Sequence, residues 1–212
     1  MAALTASAWN ARARTPPTRL AHARKAPVRI VGGKHRGRRL AAPEGRDTRP
    51  TTDRTREAIF NILAHSDWAP EIEGVVAADV FCGTGALGLE ALSRGAARCS
   101  FLDSGKAALT TLRSNIATLG EEDAATVLRA DATRPPPASA PCGLLFLDPP
   151  YAQGLAPLAL AGLTRNGWLA DGAVAVVEVG DRDPLPPPPG FTALDERRYG
   201  DTRVAFLRFA AG

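Results

Sequence analysis

A strand, a glycine-rich turn and a helix follow one another between Val75 and Leu92, and this order restricts the fold more than any other feature. The mostly apolar residues that open the stretch predict a buried strand. The turn has the spacing Gly83-x-Gly85-x-x-Gly88, in which glycine permits a tight bend and lets a ligand approach the backbone. The pattern predicts the first unit of an α/β sheet with a ligand held at the turn.

Acidic residues occur at or near the ends of three successive predicted strands. Asp79 precedes the glycine turn, Asp103 ends a strand 18 residues after Gly85, and Asp131 follows the next strand. An acid in the second position can accept hydrogen bonds from both ribose hydroxyls, and the third is placed to reach an adenine amino group. The acid ahead of the turn favours a cationic methionine moiety, as in S-adenosylmethionine, over a pyrophosphate. Each acid alone could instead be a helix N-cap.

The apolar segment 143–147 predicts a buried strand that stops at Asp148-Pro149-Pro150-Tyr151, because two prolines cannot continue a ladder of hydrogen bonds. The carboxylate is thereby left at the carboxyl end of a strand, where open parallel sheets bind ligands. A carboxylate beside an aromatic ring suits a planar heterocycle that stacks on the ring and donates from an exocyclic amine. The alternative is a proline turn in which the tyrosine caps the core.

The alternation of strands and helices predicts a doubly wound α/β fold with a mostly parallel sheet of seven strands. A final antiparallel pair, over 191–198 and 204–209, gives this sheet an antiparallel edge. That pattern suits a Rossmann-like methyltransferase sheet better than a dehydrogenase sheet. We expect three regions: a disordered basic extension over 1–27, a basic hairpin and helix over 28–70, and the main domain over 71–212.

Basic residues are concentrated at the front of the chain. Residues 1–49 hold 12 of the 26 Lys and Arg residues but only 2 of the 22 acids, so the remainder is net acidic. This asymmetry is typical of a polyanion binder. We expect a small basic hairpin to contact phosphates through the following side chains: Arg29, Lys34, Arg36, Arg38 and Arg39. A solvated edge hairpin is the alternative.

A helix is predicted to begin near Thr51, Thr52 or Asp53. Arg54 and Arg56 in its first turn oppose the helix dipole, which suggests that one of them meets a negative group of a ligand.

Other features exclude several classes. The three cysteines are widely spaced and form no C-x-x-C pair, so neither a disulfide framework nor a zinc site is indicated. No run of about 18 apolar residues predicts a membrane span. Residues 1–27 contain no acid and could be a transit peptide, although a disordered extension or an early start codon fits the Ala, Arg and Pro bias of the whole chain.

Together the motifs resemble those of the bacterial 16S rRNA (guanine(966)-N(2))-methyltransferase family, over about residues 28–208. The most family-specific segments are 29–40 and 49–58, whereas Asp148-Pro149-Pro150-Tyr151 alone is typical of any amino methyltransferase. The chain departs from the family pattern at Cys82, where Ala is usual, at Asp103, where Glu is usual, and in its extension before Val28.

The resemblance implies a cytoplasmic enzyme, expected to be a monomer, whose partner is 16S rRNA within a small-subunit assembly intermediate, with no metal or membrane requirement. Catalysis is expected at Asp148, Pro149, Pro150 and Tyr151. The expected contacts to S-adenosyl-L-methionine are Asp79, Phe81, Gly83, Gly85, Asp103, Asp131, Ala132, Thr52 and Arg54.

Three alternatives stay open at this point. The chain could methylate adenine or another base in DNA or RNA, since the Asp-Pro-Pro-Tyr motif does not select the base. It could be a non-catalytic RNA-binding assembly factor, although its intact motif disfavours this. It could be an NAD-dependent oxidoreductase, for which no Tyr/Lys machinery is found in the sequence.

Overall fold

The computed structural model describes residues 28–42 and 53–212. Within these ranges the helices are Asp53–His65 (α1), Ala86–Ser93 (α2), Lys106–Leu119 (α3) and Leu155–Arg165 (α4). The strands are Val76–Val80 (β1), Arg98–Asp103 (β2), Ala125–Arg129 (β3), Cys142–Leu147 (β4), Leu169–Gly180 (β5), Phe191–Tyr199 (β6) and Thr202–Phe209 (β7). The predicted extension over 1–27 and the predicted helix caps Thr51 and Thr52 lie outside the described residues.

The seven strands form one sheet in the order β3-β2-β1-β4-β5-β7-β6. The pairs among β1 to β5 are parallel, whereas β7 is antiparallel to both β5 and β6. The predicted mixed sheet with an antiparallel C-terminal hairpin is confirmed. The chain runs from β1 outward to β2 and β3, then returns to place β4 on the other side of β1. This reversal creates a switch point at the carboxyl ends of β1 and β4, where ligands bind in open α/β sheets.

Strand β5 begins earlier than the sequence predicts. The mostly apolar segment 172–179 predicts a strand that starts at Gly172, but the strand begins at Leu169, which pairs with Cys142. The pairing shifts register between Cys142 and Leu144, and Gly172 has φ 77°, a left-handed conformation that suits glycine. The irregularity therefore lets the strand continue past a residue that usually ends one.

Buried side chains pack on both faces of the sheet. On the first face, α1, α2 and α3 bury Phe60, Leu89 and Leu112 against strand residues such as Phe101 and Phe146. On the second face, α4 supplies the following buried side chains: Ala156, Ala159, Leu160 and Leu163. The flanking segments 131–141 and 181–190 on this face carry turns and extended chain rather than helix. The second face is therefore covered by one helix and two proline-containing connections.

The basic segment 28–42 forms a small hairpin. Its antiparallel pairing consists of an isolated bridge between Arg29 and Arg39, flanked by the bonds Ile30 N to Arg38 O (2.9 Å) and Leu40 N to Val28 O (2.8 Å). A short 3-10 helix, Gly33–His35, forms its turn. The predicted small hairpin is present, and its ladder is limited to this bridge and its flanking hydrogen bonds.

Contacts with α2 hold the turn of this segment in place. A Cβ on Gly33 would lie 1.8 Å from the backbone oxygen of Ser93, so the turn lies directly against the helix end. The Ser93 hydroxyl donates to the Gly32 carbonyl at 2.6 Å and accepts from the His35 amide at 2.9 Å. The His35 amide therefore bonds to α2, whereas the Gly37 amide crosses the hairpin to the Ile30 carbonyl at 2.8 Å.

Glu90 anchors the same segment from inside the protein. This fully buried carboxylate accepts hydrogen bonds from the amides of Val31 and Gly32, each at 2.8 Å. It also receives Arg94 Nε at 2.7 Å and lies 3.6 Å from Nε of the fully buried Arg56. A buried carboxylate needs such partners to offset its loss of water. The segment is thus held by a buried ionic network rather than by apolar contacts alone.

Candidate active site

The glycine turn after β1 is shaped from beneath by Asp79. This residue is 2% exposed, and its Oδ2 accepts a hydrogen bond from the Gly88 amide at 2.8 Å. Burial raises the pKa of Asp79 to about 8, and the nearby carboxylate of Asp103 adds to the rise. The side chain therefore fixes the start of α2 to the sheet. Because it is buried beneath the turn, its position does not favour direct contact with a cationic group of a ligand.

The turn itself is open to a ligand. Phe81 has φ 59°, an uncommon value for a residue with a side chain, and Gly83 has φ 53°. A Cβ at Gly83 would meet only the carbonyl oxygen of Phe81, at 4.0 Å, so the backbone here is approachable. Gly85, with φ 79°, forms the N-cap of α2. Strained backbone at the end of a strand is a common property of ligand-binding turns.

Asp103 connects this turn to the start of the next helix. Its Oδ2 accepts from the Gly83 amide at 2.9 Å, and its Oδ1 accepts from the Gly105 amide at 2.7 Å. A carboxylate has about four lone-pair positions, so two amide bonds leave capacity for ribose hydroxyls. The shorter aspartate side chain is thus held firmly at the carboxyl end of β2, beside the glycine turn.

Asp131 lies after β3 on the same edge of the sheet and is exposed. Its Oδ1 accepts from both the hydroxyl and the amide of Thr133, each at 2.8 Å. These hydrogen bonds, led by the hydroxyl, lower the pKa of Asp131, so it is an anion at neutral pH. Its neighbour Ala132 is buried. The sequence prediction of acids along one edge agrees with this placement, although only Asp103 and Asp131 face outward.

Asp148 stands at the switch point. Its amide donates to the Val80 carbonyl at 3.3 Å, extending the β1–β4 pairing by one residue. The residue is half-buried, Pro149 is buried and Pro150 is exposed. The carboxylate therefore leaves β4 beside the end of β1, next to the turn that begins at Phe81. The structure brings together the two motifs that lie some sixty residues apart in the sequence.

Tyr151 is hydrogen-bonded to side chains on β5 and β7. Its hydroxyl donates to Glu178 Oε1 at 2.7 Å and lies 3.0 Å from Thr202 Oγ1. The ring also borders a cleft of about 310 Å³ whose other walls come from Pro150, the start of α4 and the β5–β6 connection. The apolar lining and single tyrosine ring suit a planar group. The side chain is therefore neither a simple core cap nor a freely exposed ring.

Neither Glu178 nor Thr202 was recognised from the sequence as part of this site. Glu178 interrupts the apolar strand 173–179, and an acid in such a strand is the signal that could have revealed it. Thr202 falls within residues 28–208, over which the motifs resemble the family, but only the fold shows its contact with Tyr151.

The expected phosphate-binding side chains fall into two groups. Arg29 pairs with Asp53 at 3.1 Å, Lys34 pairs with the buried Glu121 at 2.8 Å, and Arg38 donates to the Thr118 carbonyl. The other two, which are Arg36 and Arg39, are exposed. All five lie on one segment, and the first three are oriented by contacts with α1, with α3 and with Glu121, which follows α3.

A buried asparagine joins this basic segment to the glycine turn. Asn115, on α3, accepts from the Ala41 amide at 2.8 Å and donates to the carbonyls of Ala41 and Thr84 at 3.2 and 3.0 Å. Thr84 lies between the two glycines of the turn. One 2% exposed side chain thus fixes the spacing between the basic segment and the candidate cofactor site.

The two arginines of α1 have different roles. Arg54 is exposed, whereas Arg56 is fully buried and donates to Asp53 and to the Arg29 carbonyl. The position of Arg56 in the first turn is therefore explained by partners within the protein and does not require a ligand. The predicted cofactor contact Thr52 lies outside the described residues.

The order of strands, with an antiparallel β7 inserted between β5 and β6, is that of Rossmann-like methyltransferases. A dinucleotide-binding dehydrogenase would continue the sheet with a parallel sixth strand. S-adenosylmethionine is the cofactor of this class, and the residues present fit it: an approachable glycine turn, and outward-facing acids at the ends of β2 and β3. The fold and the site together define a methyltransferase.

A family model described as "Conserved hypothetical protein 95" matches residues 28–208, and the chain belongs to this family. It is 38% identical over 177 residues to "Ribosomal RNA small subunit methyltransferase D" of Escherichia coli, covering 84% of this chain and 87% of that protein. The protein of the same name from Haemophilus influenzae is 36% identical over 180 residues, with coverage of 83% and 91%.

A solved structure supports the same relationship. The protein yhhF of Escherichia coli superimposes with a TM-score of 0.76 at 37% identity, covering 88% of this chain and all of that one. The resemblance to the 16S rRNA methyltransferase family inferred from the motifs is thereby confirmed. In the described parts of the chain, no helix is long and apolar enough to cross a membrane.

Proposed function

We propose that this protein transfers a methyl group from S-adenosylmethionine to the exocyclic N2 amine of a guanine in 16S ribosomal RNA. The observation that carries the proposal is the position of Asp148-Pro149-Pro150-Tyr151 at the switch point, beside the glycine turn. The relatives named as small-subunit rRNA methyltransferases support ribosomal RNA as the substrate. The exposed basic segment 28–42 supports a nucleic-acid partner, without distinguishing RNA from DNA.

The cofactor would lie along the carboxyl edge of β1, β2 and β3. Asp103 would accept from the ribose hydroxyls, while Asp131 and Ala132 would meet the adenine through the carboxylate and the backbone. Phe81, Gly83 and Gly85 form the turn that approaches the methionine part. Asp79 acts on the cofactor indirectly, by holding that turn against Gly88. We also propose that Thr52 and Arg54 approach the cofactor's carboxylate at the start of α1.

The cofactor supplies an electrophilic methyl group on a sulfonium. An aryl amine is a poor nucleophile because its lone pair is delocalised into the ring. The Asp148 carboxylate and the Pro149 carbonyl accept hydrogen bonds from the amine. These bonds favour the pyramidal form of the amine, in which its lone pair points toward the methyl group. As the new N–C bond forms, the S–CH3 bond of the sulfonium would break and S-adenosylhomocysteine would leave as a neutral thioether. The positive charge would pass to the amine, which would then lose a proton to Asp148 or water. Positioning and electrostatics supply most of the rate.

Tyr151 would stack on the guanine and fix its plane. The base has to leave any helical stack to reach this pocket, so a loop or an incompletely assembled subunit is the favoured substrate. Arg29, Lys34, Arg36, Arg38 and Arg39 would contact the surrounding phosphates. We propose that the protein acts as a monomer on a small-subunit assembly intermediate in the cytoplasm.

The test is methyl transfer from labelled S-adenosylmethionine to unmodified small-subunit RNA, both naked and bound to ribosomal proteins, with the product nucleoside identified. N2-methylguanosine at a single site is the expected product. N6-methyladenosine would move the activity to another base, and efficient methylation of a DNA duplex would overturn the RNA substrate. Cofactor binding without transfer to any RNA would contradict the catalytic assignment.

A further inference from the structure

The Tyr151 hydroxyl has two partners, and the chemistry of the phenol fixes the direction of both bonds. A phenol has one proton, which it donates to the Glu178 carboxylate at 2.7 Å. The contact of 3.0 Å with Thr202 then requires the threonine hydroxyl to donate and the phenol oxygen to accept. Burial, reinforced by the neighbouring Glu178 charge, raises the pKa of Tyr151. The phenol therefore stays protonated, as this arrangement requires.

The two partners are themselves rigidly placed. Glu178 is 4% exposed on β5 and Thr202 is 6% exposed on β7. In the antiparallel pairing, Glu178 lies opposite Val204 and Gly180 lies opposite Thr202. Alternate residues of a strand share a face, so the two side chains are diagonal neighbours on the same face of the sheet. They form a fixed acceptor–donor pair that the Tyr151 hydroxyl bridges.

A second contact holds the residue after Tyr151. The Ala152 amide donates to Asp183 Oδ2 at 2.9 Å, and the same oxygen lies 3.3 Å from the Gly180 amide. Ala152 has φ 59°, a left-handed conformation that is uncommon for alanine and needs support from its surroundings. The proline-proline turn starts on β4 and is therefore fastened at its far end to β5 and to the connection that follows it.

We propose that Glu178 and Thr202 are positioning residues for methyl transfer, acting through the Tyr151 hydroxyl to fix the ring on which the target base stacks. The inference rests on the proposed function, because it assigns the ring that role. Prolines 149 and 150 restrict the backbone before the ring, and the hydroxyl bonds restrict its side-chain rotation. The hydroxyl end thus sets the geometry, while the ring face stays available to a substrate in the adjoining cleft.

The test compares hydroxyl deletions that keep the shape of each side chain. Tyr151→Phe retains the ring and should lower kcat for methyl transfer about tenfold, with the dissociation constant for S-adenosylmethionine within about twofold of wild type. Thr202→Val should lower kcat severalfold, and Thr202→Ser, which restores a donor, should recover it. Glu178→Gln keeps an acceptor oxygen and should fall between Thr202→Ser and Tyr151→Phe. Tyr199→Phe, which deletes the hydroxyl of the other tyrosine, is the matched control.

The double variant Tyr151→Phe/Thr202→Val should be no slower than Tyr151→Phe alone, since both remove the same contact. A merely structural role would lower thermal stability while leaving kcat unchanged below the melting temperature, and would give no recovery with serine. A Tyr151→Phe kcat within about twofold of wild type overturns the inference. If that variant does not fold, wild-type kcat in Thr202→Val overturns it equally. The kcat ratios are taken on whichever nucleoside the wild type methylates, so a different base would overturn the proposed function and leave this comparison intact.

Discussion

Replacing Glu90 by alanine should destabilise the protein more than any exposed substitution. Glu90 is fully buried, and it accepts from the amides of Val31 and Gly32 and from Arg94. Alanine removes every one of these acceptors at once. It also leaves the guanidinium of Arg56, which is fully buried, without one of its two carboxylate neighbours.

The magnitude depends on the kinds of interaction that alanine removes. Removing one partner of a buried ion pair costs about 3–5 kcal/mol, and an unpaired buried amide costs about 1–3 kcal/mol. These costs overlap because the backbone of the docked segment can relax toward water. We therefore expect the free energy of unfolding to fall by about 3–5 kcal/mol, which is about 10 °C in Tm for a chain of this size.

Equilibrium unfolding in urea, followed by circular dichroism, measures this fall in stability. Glu57→Ala, on the exposed side of α1, is the matched control and should change stability by less than about 0.5 kcal/mol. Glu90→Gln keeps one acceptor oxygen and should fall between the control and Glu90→Ala. A change below about 1 kcal/mol for Glu90→Ala would refute the idea that this carboxylate anchors the basic segment.

Three further predictions concern catalysis, pH and RNA binding. Asp148→Ala should lose nearly all methyl transfer while calorimetry still detects S-adenosylmethionine binding; turnover near the wild-type rate would contradict its role. The pKa of Asp79 is raised to about 8 in the folded state from its ordinary value of 3.8, so between these values the folded protein binds one more proton than the unfolded chain. The Asp79 contribution to stability should therefore fall as pH rises from about 4 to 8. Asp79→Asn should remove that part of the pH dependence of Tm. If the curve of Tm against pH is the same in Asp79→Asn as in the wild type, Asp79 does not make this contribution. The pair Arg36→Ala/Arg39→Ala should weaken RNA binding and reduce the slope of log affinity against log salt by about 1.4–1.8, whereas an unchanged slope would exclude these side chains from phosphate contact.

Much of the fold could be predicted because its signals are local. The sequence predicts β2 over 98–103, α3 over 106–119 and β3 over 125–129, and the structure reproduces these bounds. The mixed sheet followed from a parallel series and a final hairpin. Gly172 misled the prediction of β5, since a glycine that normally ends a strand is accommodated there by a shift of register.

The contacts within the site were less predictable because they join distant residues. Asp79 has the sequence position of a ligand contact, but only the packing of α2 on the sheet shows that it is buried beneath the turn. The partners of Tyr151 lie 27 and 51 residues away along the chain. Glu90 has the appearance of an ordinary helix acid until the basic segment, 58 or 59 residues earlier, folds over it.

That last separation has a consequence during protein synthesis. The basic segment leaves the ribosome well before the carboxylate that anchors it, since Val31 precedes Glu90 by 59 residues and His35 precedes Glu121 by 86. At about 5–20 residues per second, the front of the chain remains without these partners for several seconds. A nascent chain therefore cannot form its folded basic surface until the helices around the glycine turn have left the ribosome.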